Sequence, residues 1–112
     1  MMTIKEKQVR ESIVSDMSKL LSHSEDEGLA WCSTKTDLME MVHILYCADV
    51  MKDVQGLPVT FLELVRRVCR IVHVSVPSNP NHLVSRAQMR KGRKMLPLVQ
   101  RYVDIKSFVS NA

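Results

Sequence analysis

"TFLELVRRVCRIVHVSVPSNPNHLVSRAQMRK", residues 60–91, holds two helix starts and a breaker between them. Thr60 followed three residues later by Glu63 predicts a capping box: the Thr60 hydroxyl takes the Glu63 N–H and the Glu63 carboxylate returns the bond. The helix it opens should run to about residue 72, with Phe61, Leu64, Val65, Val68 and Ile71 recurring at helical spacing and turned inward. "HVSVPS" (73–78) is then extended by its β-branched residues and stopped at Pro77. Asn79 and Pro80 supply an N-cap and a proline at the first helical position, where its missing N–H costs nothing. The second helix should reach Lys91, with Gly92 as its C-cap. Helix, connection and basic helix make the layout of a helix-turn-helix, in which the second helix enters the major groove and the first crosses the backbone.

On that second helix Leu83, Val84 and Ala87 fall on the side that faces a core. Asn81, His82, Ser85, Arg86 and Met89 fall on the other. Arg pairs bidentately with guanine and Asn with adenine, so these five are the candidates for base readout. Arg66, Arg67 and Arg70 on the first helix, with Arg90, Lys91, Arg93 and Lys94 after the second, are the candidate phosphate contacts. A solvated helical face is the plain alternative for any one basic cluster. Three clusters with almost no acid among them favour a common partner.

Outward from this core the chain reads as more helix. A last helix begins near Lys94, tolerates Pro97 in its first turn and packs Leu98, Val99, Tyr102 and Ile105. Upstream, residues 35–49 form a helix capped by Thr34, with Leu38, Met41, Val42, Leu45 and Ala48 inward. "LAWCS" (29–33) is a short apolar run that fits one small strand. Residues 3–22 are an amphipathic helix with Val9, Ile13, Met17, Leu20 and Leu21 on one stripe, and "SHSEDEG" (22–28) is an acidic turn or linker. The division expected is an N-terminal helix and acidic linker (1–28) followed by a DNA-binding domain (29–112). The fold class expected is mainly α: a helical domain with a helix-turn-helix or winged-helix-like core and one or two short strands.

Charge divides the chain in the same way. Residues 1–63 carry six Lys/Arg against eleven Asp/Glu, and residues 64–112 carry ten against one, Asp104. The net charge of +4 is therefore about −5 and +9 on the two halves, which suits a polyanionic partner on one side only. Five aromatic residues are a thin supply for stacking unpaired bases, so duplex is favoured over single strands. No apolar stretch reaches the roughly 18 residues of a membrane span, and the charged start "MMTIKEKQVR" is not a signal peptide. Cys32, Cys47 and Cys69 are odd in number and widely spaced, which fits a reduced, cytoplasmic setting.

Two i,i+4 pairs, His43 with Cys47 and Cys69 with His73, would together make a Cys2His2 set. The close Cys-x-x-Cys hook of structural zinc sites is missing, so no metal is expected. Cys32 beside Trp31 has no accompanying base-bearing motif, and the paired carboxylates sit only in the acidic turn. No catalysis, cofactor or small-molecule ligand is expected.

The run "LAWCSTKTDLMEMVHILYCADVM" (29–51), with "LPVTFLELVRRVCRIVHVSV" (57–76) and "NPNHLVSRAQMRKGRKMLPLVQRYV" (79–103), resembles the C-terminal region of the RteC family. These are regulators carried by conjugative transposons of the Bacteroidetes. Trp31 with Lys35 and Thr36, Asn79–Pro80 and the basic run 90–94 carry the resemblance most specifically. It implies DNA binding, control of element excision and transfer, and a DNA-facing role for Arg86, Arg90, Lys91, Arg93 and Lys94. The chain departs from the family at Asn81 and His82, where aromatic and Arg residues are usual, and has one short helix in place of a long N-terminal region. The expected function is thus a DNA-binding transcriptional regulator, with residues 3–22 either covering the core of that domain or serving as a homodimer contact. The alternative from another class is a helical interaction module that docks an acidic protein through its +9 half.

Overall fold

The α2 helix, Lys35–Cys47, is buried nearly all round, and the rest of the chain is arranged about it. The structure, a computed structural model, describes residues 4–89 and 109–111. The order of elements is α1 (Ile4–Leu20), a 3-10 turn (Glu25–Glu27), β1 (Leu29–Trp31), α2, α3 (Phe61–Ile71), α4 (Pro80–Met89) and β2 (Val109–Asn111). The fold is mainly helical. Helices α1, α3 and α4 each pack on α2, so one apolar stripe does not suffice for it. Leu38, Met41, Val42 and Leu45 are buried as their spacing predicts, and so are Met39 and Ile44 on the remaining sides. Ala48 is not inward: it is the exposed C-cap of α2, and Asp49 beyond it takes a left-handed backbone at φ 55°.

Local chemistry starts each helix. At the head of α2, Asp37 N–H donates to Thr34 Oγ1 at 3.1 Å, and Ser33 Oγ donates to the buried Asp37 carboxylate at 2.6 Å. A buried carboxylate is tolerated there because it is hydrogen-bonded and lies at the positive end of the helix dipole. At the head of α3, Glu63 N–H donates to Thr60 Oγ1 at 3.2 Å. The other half of the expected capping box is diverted: the Glu63 carboxylate takes Arg67 Nε at 3.1 Å. An opposite charge one turn on out-competes a neutral backbone N–H. At the head of α4, His82 N–H donates to Asn79 Oδ1 at 3.2 Å, and Pro80 is buried at the first helical position.

The end of α3 is equally local. Val72 is its cap, His73 adopts φ 58°, and Val74 N–H reaches back to Cys69 C=O at 2.9 Å. This is the long bond of a Schellman closure, accompanied as usual by a half-buried apolar residue, Val74, just past the end. Between α2 and α3 the chain makes a small hairpin. Val59 N–H donates to Met51 C=O and Asp53 N–H to Leu57 C=O, while Gly56 sits at φ 81°. Asp53 Oδ1 closes the loop by accepting from Gln55 and Leu57 N–H at 2.8 and 3.0 Å. Gly56 is required there, because a side chain at that φ is strained.

β1 pairs antiparallel with β2, with Trp31 opposite Val109 and Leu29 opposite Asn111. The short strand expected at 29–33 is therefore present, and it draws the far end of the chain back to the start of α2. The stripe of α1 is spent inside the molecule. Val9, Ile13, Met17 and Leu20 join Leu38, Val42, Leu45, Leu64, Val65 and Val68 in one core, with Leu21 half-buried against it. Among the described residues no helix is long and apolar enough to cross a membrane.

Because Ile13 is fully buried in that shared core, Ile13→Ala should lower unfolding free energy by about 2–5 kcal/mol. A urea titration checks this. An unchanged midpoint would make α1 an appendage rather than part of the core.

Candidate nucleic-acid interface

Helix α4 is held by its inner side. Pro80, Val84 and Ala87 are buried, Leu83 is half-buried, and the helix lies chiefly on α2. The opposite side therefore faces water: Asn81, His82, Ser85 and Arg86 are all exposed. These are four of the five base-readout candidates, brought onto one face by the spacing that buries the other. Met89 ends α4, and its side chain lies outside the described residues. Arg90, Lys91, Arg93 and Lys94 lie outside them as well, as do the expected Gly92 cap and the helix from Lys94.

The connection from α3 to α4, residues 72–79, is longer than the three- to four-residue turn of a standard helix-turn-helix. It is tethered: Lys35 Nζ, at the head of α2, donates to Ser75 Oγ at 2.7 Å. The longer path lets α4 settle on α2 while α3 keeps its own seat on the core.

On α3 the three arginines are not equivalent. Arg66 and Arg70 are exposed. Arg67 is half-buried and paired with Glu63, so it meets a phosphate only by giving up that carboxylate. Beside α3 lies the acidic 3-10 turn, and an open cleft of about 430 Å³ is lined by His23, Ser24 and Asp26 on one side and by Arg67 and Arg70 on the other. Its floor is Leu21, Met51 and Ile71. The Glu27 carboxyl is held below its usual range by the His23 ring, 3.1 Å away, and by the Ser24 N–H at 2.6 Å. The turn thus keeps its negative charge next to the α3 arginines, an arrangement absent from any reading of residues 60–91 alone.

A second groove, of about 550 Å³, opens where α2, α3 and α4 meet. His43, Tyr46, Phe61 and Leu62 form one wall, and Ser78, Asn79, Pro80 and Asn81 the other. The rings brace each other, with His43 edge-on to Phe61 at 5.5 Å and Tyr46 5.9 Å from Phe61. Nothing in the periodicity of α2 sets His43 and Tyr46 apart from an ordinary solvent-edge pair, so the groove is invisible until the helices are packed.

The two histidine–cysteine pairs behave differently. His43 and Cys47 do meet, with Sγ 3.7 Å from Nδ1. Cys69 and His73 do not share a face, because α3 has already ended: Cys69 is buried, and His73 sits exposed in the left-handed cap. Burial pushes the Cys69 thiol up, against the pull of Lys35. Among the described residues no group of three or more His, Cys, Asp or Glu could hold a metal ion.

The chain matches no family model, and no curated protein or solved structure matches it.

Burial first, and then the nearby Arg10 cation, hold the His43 ring below its ordinary range. Arg10 Nε is itself buried, with no hydrogen-bond partner among the described residues. The unfolded chain takes up a proton on this ring near pH ~6.5, and the folded chain only at lower pH. Stability should therefore fall as pH drops below about 6.5, and level off once the folded ring is also protonated. Arg10→Met should move the His43 midpoint upward, though not to its ordinary value, since burial remains. An NMR titration of the ring reads this, and an unmoved midpoint would remove Arg10 as a cause.

Proposed function

We propose that the chain is a duplex-DNA-binding transcriptional regulator of the cytoplasm, without catalysis or cofactor. The observation that carries this reading is the exposed face of α4, where Asn81, His82, Ser85 and Arg86 stand opposite the buried Val84 and Ala87. An exposed helical face of amide, hydroxyl and guanidinium groups suits base edges in a major groove. Arg66 and Arg70 on α3, and Arg90, Lys91, Arg93 and Lys94 beyond α4, supply cations for phosphate. Arg67 contributes less, because Glu63 already neutralises it. The ten-to-one excess of basic over acidic residues from 64 onward supports the same partner.

A winged-helix-like arrangement is the architecture this function would use, with α4 as the recognition helix. The resemblance of residues 29–105 to RteC regulators fits that use, and suggests control of excision or transfer of a mobile element. Under this reading Arg86 distinguishes bases, whereas Lys94, beyond Gly92, only grips the backbone.

A footprint on DNA flanking the chain's own gene would supply the specific site. On that site Arg86→Ala should cost roughly 1–3 kcal/mol, and much less on random duplex. Lys94→Ala should weaken both duplexes alike and reduce the salt slope by about one unit. Equal losses for both variants on both duplexes would reduce the site to phosphate binding. No loss for either would end the DNA reading.

A further inference from the structure

The cleft between the acidic turn and α3, about 430 Å³ in volume, carries both signs of charge above an apolar floor. Most of its ionised groups are engaged. Arg67 Nε lies 3.1 Å from the Glu63 carboxylate, and His23 Nδ1 lies 3.1 Å from that of Glu27. Two groups remain, Asp26 on the turn and Arg70 in the last turn of α3, both exposed. Among the described residues neither makes an ion pair, with the other or with a third group. One wall thus offers a free carboxylate and the other a free guanidinium.

Both walls and the floor are held in place. The turn is closed by Ser24 N–H, which donates to the Glu27 carboxylate at 2.6 Å, and it packs against α3. Of the floor residues, Ile71 is buried, and Leu21 and Met51 are half-buried against the core. A preformed site loses little ordering entropy when it is filled.

We propose that this cleft binds a small zwitterion with an apolar side chain, an α-amino acid such as leucine or methionine. The ligand carboxylate takes the Arg70 guanidinium, which can bond it through two parallel N–H groups. The ligand ammonium donates to Asp26, and the side chain covers Leu21, Met51 and Ile71. Charge selects this class over simpler ones. A small anion seated here would satisfy Arg70 but meet Asp26 as a like charge, and a small cation would have the reverse difficulty. A neutral apolar molecule would strip water from both charges and return nothing. The volume lies toward the lower end of the roughly 300–1,000 Å³ of ligand pockets, which suits a single small metabolite.

The inference stands apart from DNA binding and is tested without DNA. Calorimetric titration of the full chain with L-leucine or L-methionine, near neutral pH, should show one site. Its Kd should be on the order of 0.1–1 mM, modest because both charges are exposed. N-acetyl-leucine lacks the ammonium, leucinamide the carboxylate and glycine the side chain, and each should bind about five- to tenfold more weakly. Arg70→Gln should weaken leucine by a similar factor and leave leucinamide unchanged. Asp26→Asn should weaken leucine and leave N-acetyl-leucine unchanged. This matching of variant to analogue is not produced by a general change of fold. No saturable heat with either amino acid up to about 10 mM would overturn the proposal. So would glycine or inorganic phosphate binding as tightly as leucine, or an Arg70→Gln variant that weakens leucine and leucinamide alike.

Discussion

Everything in this molecule depends on the burial of α2. A thirteen-residue helix with eight buried positions must be covered from several directions, and the chain has three other described helices to do it. α1 covers it with Val9, Ile13 and Met17, α3 with Leu64, Val65 and Val68, and α4 with Val84. Once those seats are taken, the outward faces of α3 and α4 are no longer free to choose. Arg66 and Arg70 must point to water because Val65 and Val68 do not, and Asn81, Ser85 and Arg86 must do so because Val84 and Ala87 do not. The candidate interface is thus a by-product of core packing, fixed by the same helical period.

Electrostatics then sorts the exposed cations. Arg67 is paired with Glu63 at 3.1 Å, while Arg70 looks across a cleft at Asp26. The acidic turn after α1 is therefore a neighbour of the basic helix, not a remote linker. Surface charges at such separations are screened over about 8–10 Å at physiological salt. The turn would tune the field at Arg70.

Much of the fold was legible from residue types alone. The Thr34, Thr60 and Asn79 caps, the Pro80 start and the stripe of α1 are all local, and each recurs in the structure with its hydrogen bond or burial. What was not legible is whatever depends on more than one partner. Met39 and Ile44 look peripheral when α2 is read as a one-sided helix, and they are buried because it has several sides. β2 is three residues whose strand character comes only from pairing with β1. The sequence places the Glu63 carboxylate on the Thr60 backbone, whereas a guanidinium one turn away takes it. Of the site, the exposed side of α4 was readable from spacing, whereas the His43–Tyr46–Phe61 groove and the acidic wall beside Arg70 needed the packed helices.

In the function proposed, the basic half of the chain serves a polyanionic duplex. The most direct test of that function is binding to random-sequence duplex at about 50 and 200 mM salt. Six to ten phosphate contacts predict a loss of affinity on the order of 10³ to 10⁵ between those two conditions. Duplex binding that is absent at the lower salt, or that barely changes between the two, would contradict the account. The +9 half would then belong to an acidic protein partner.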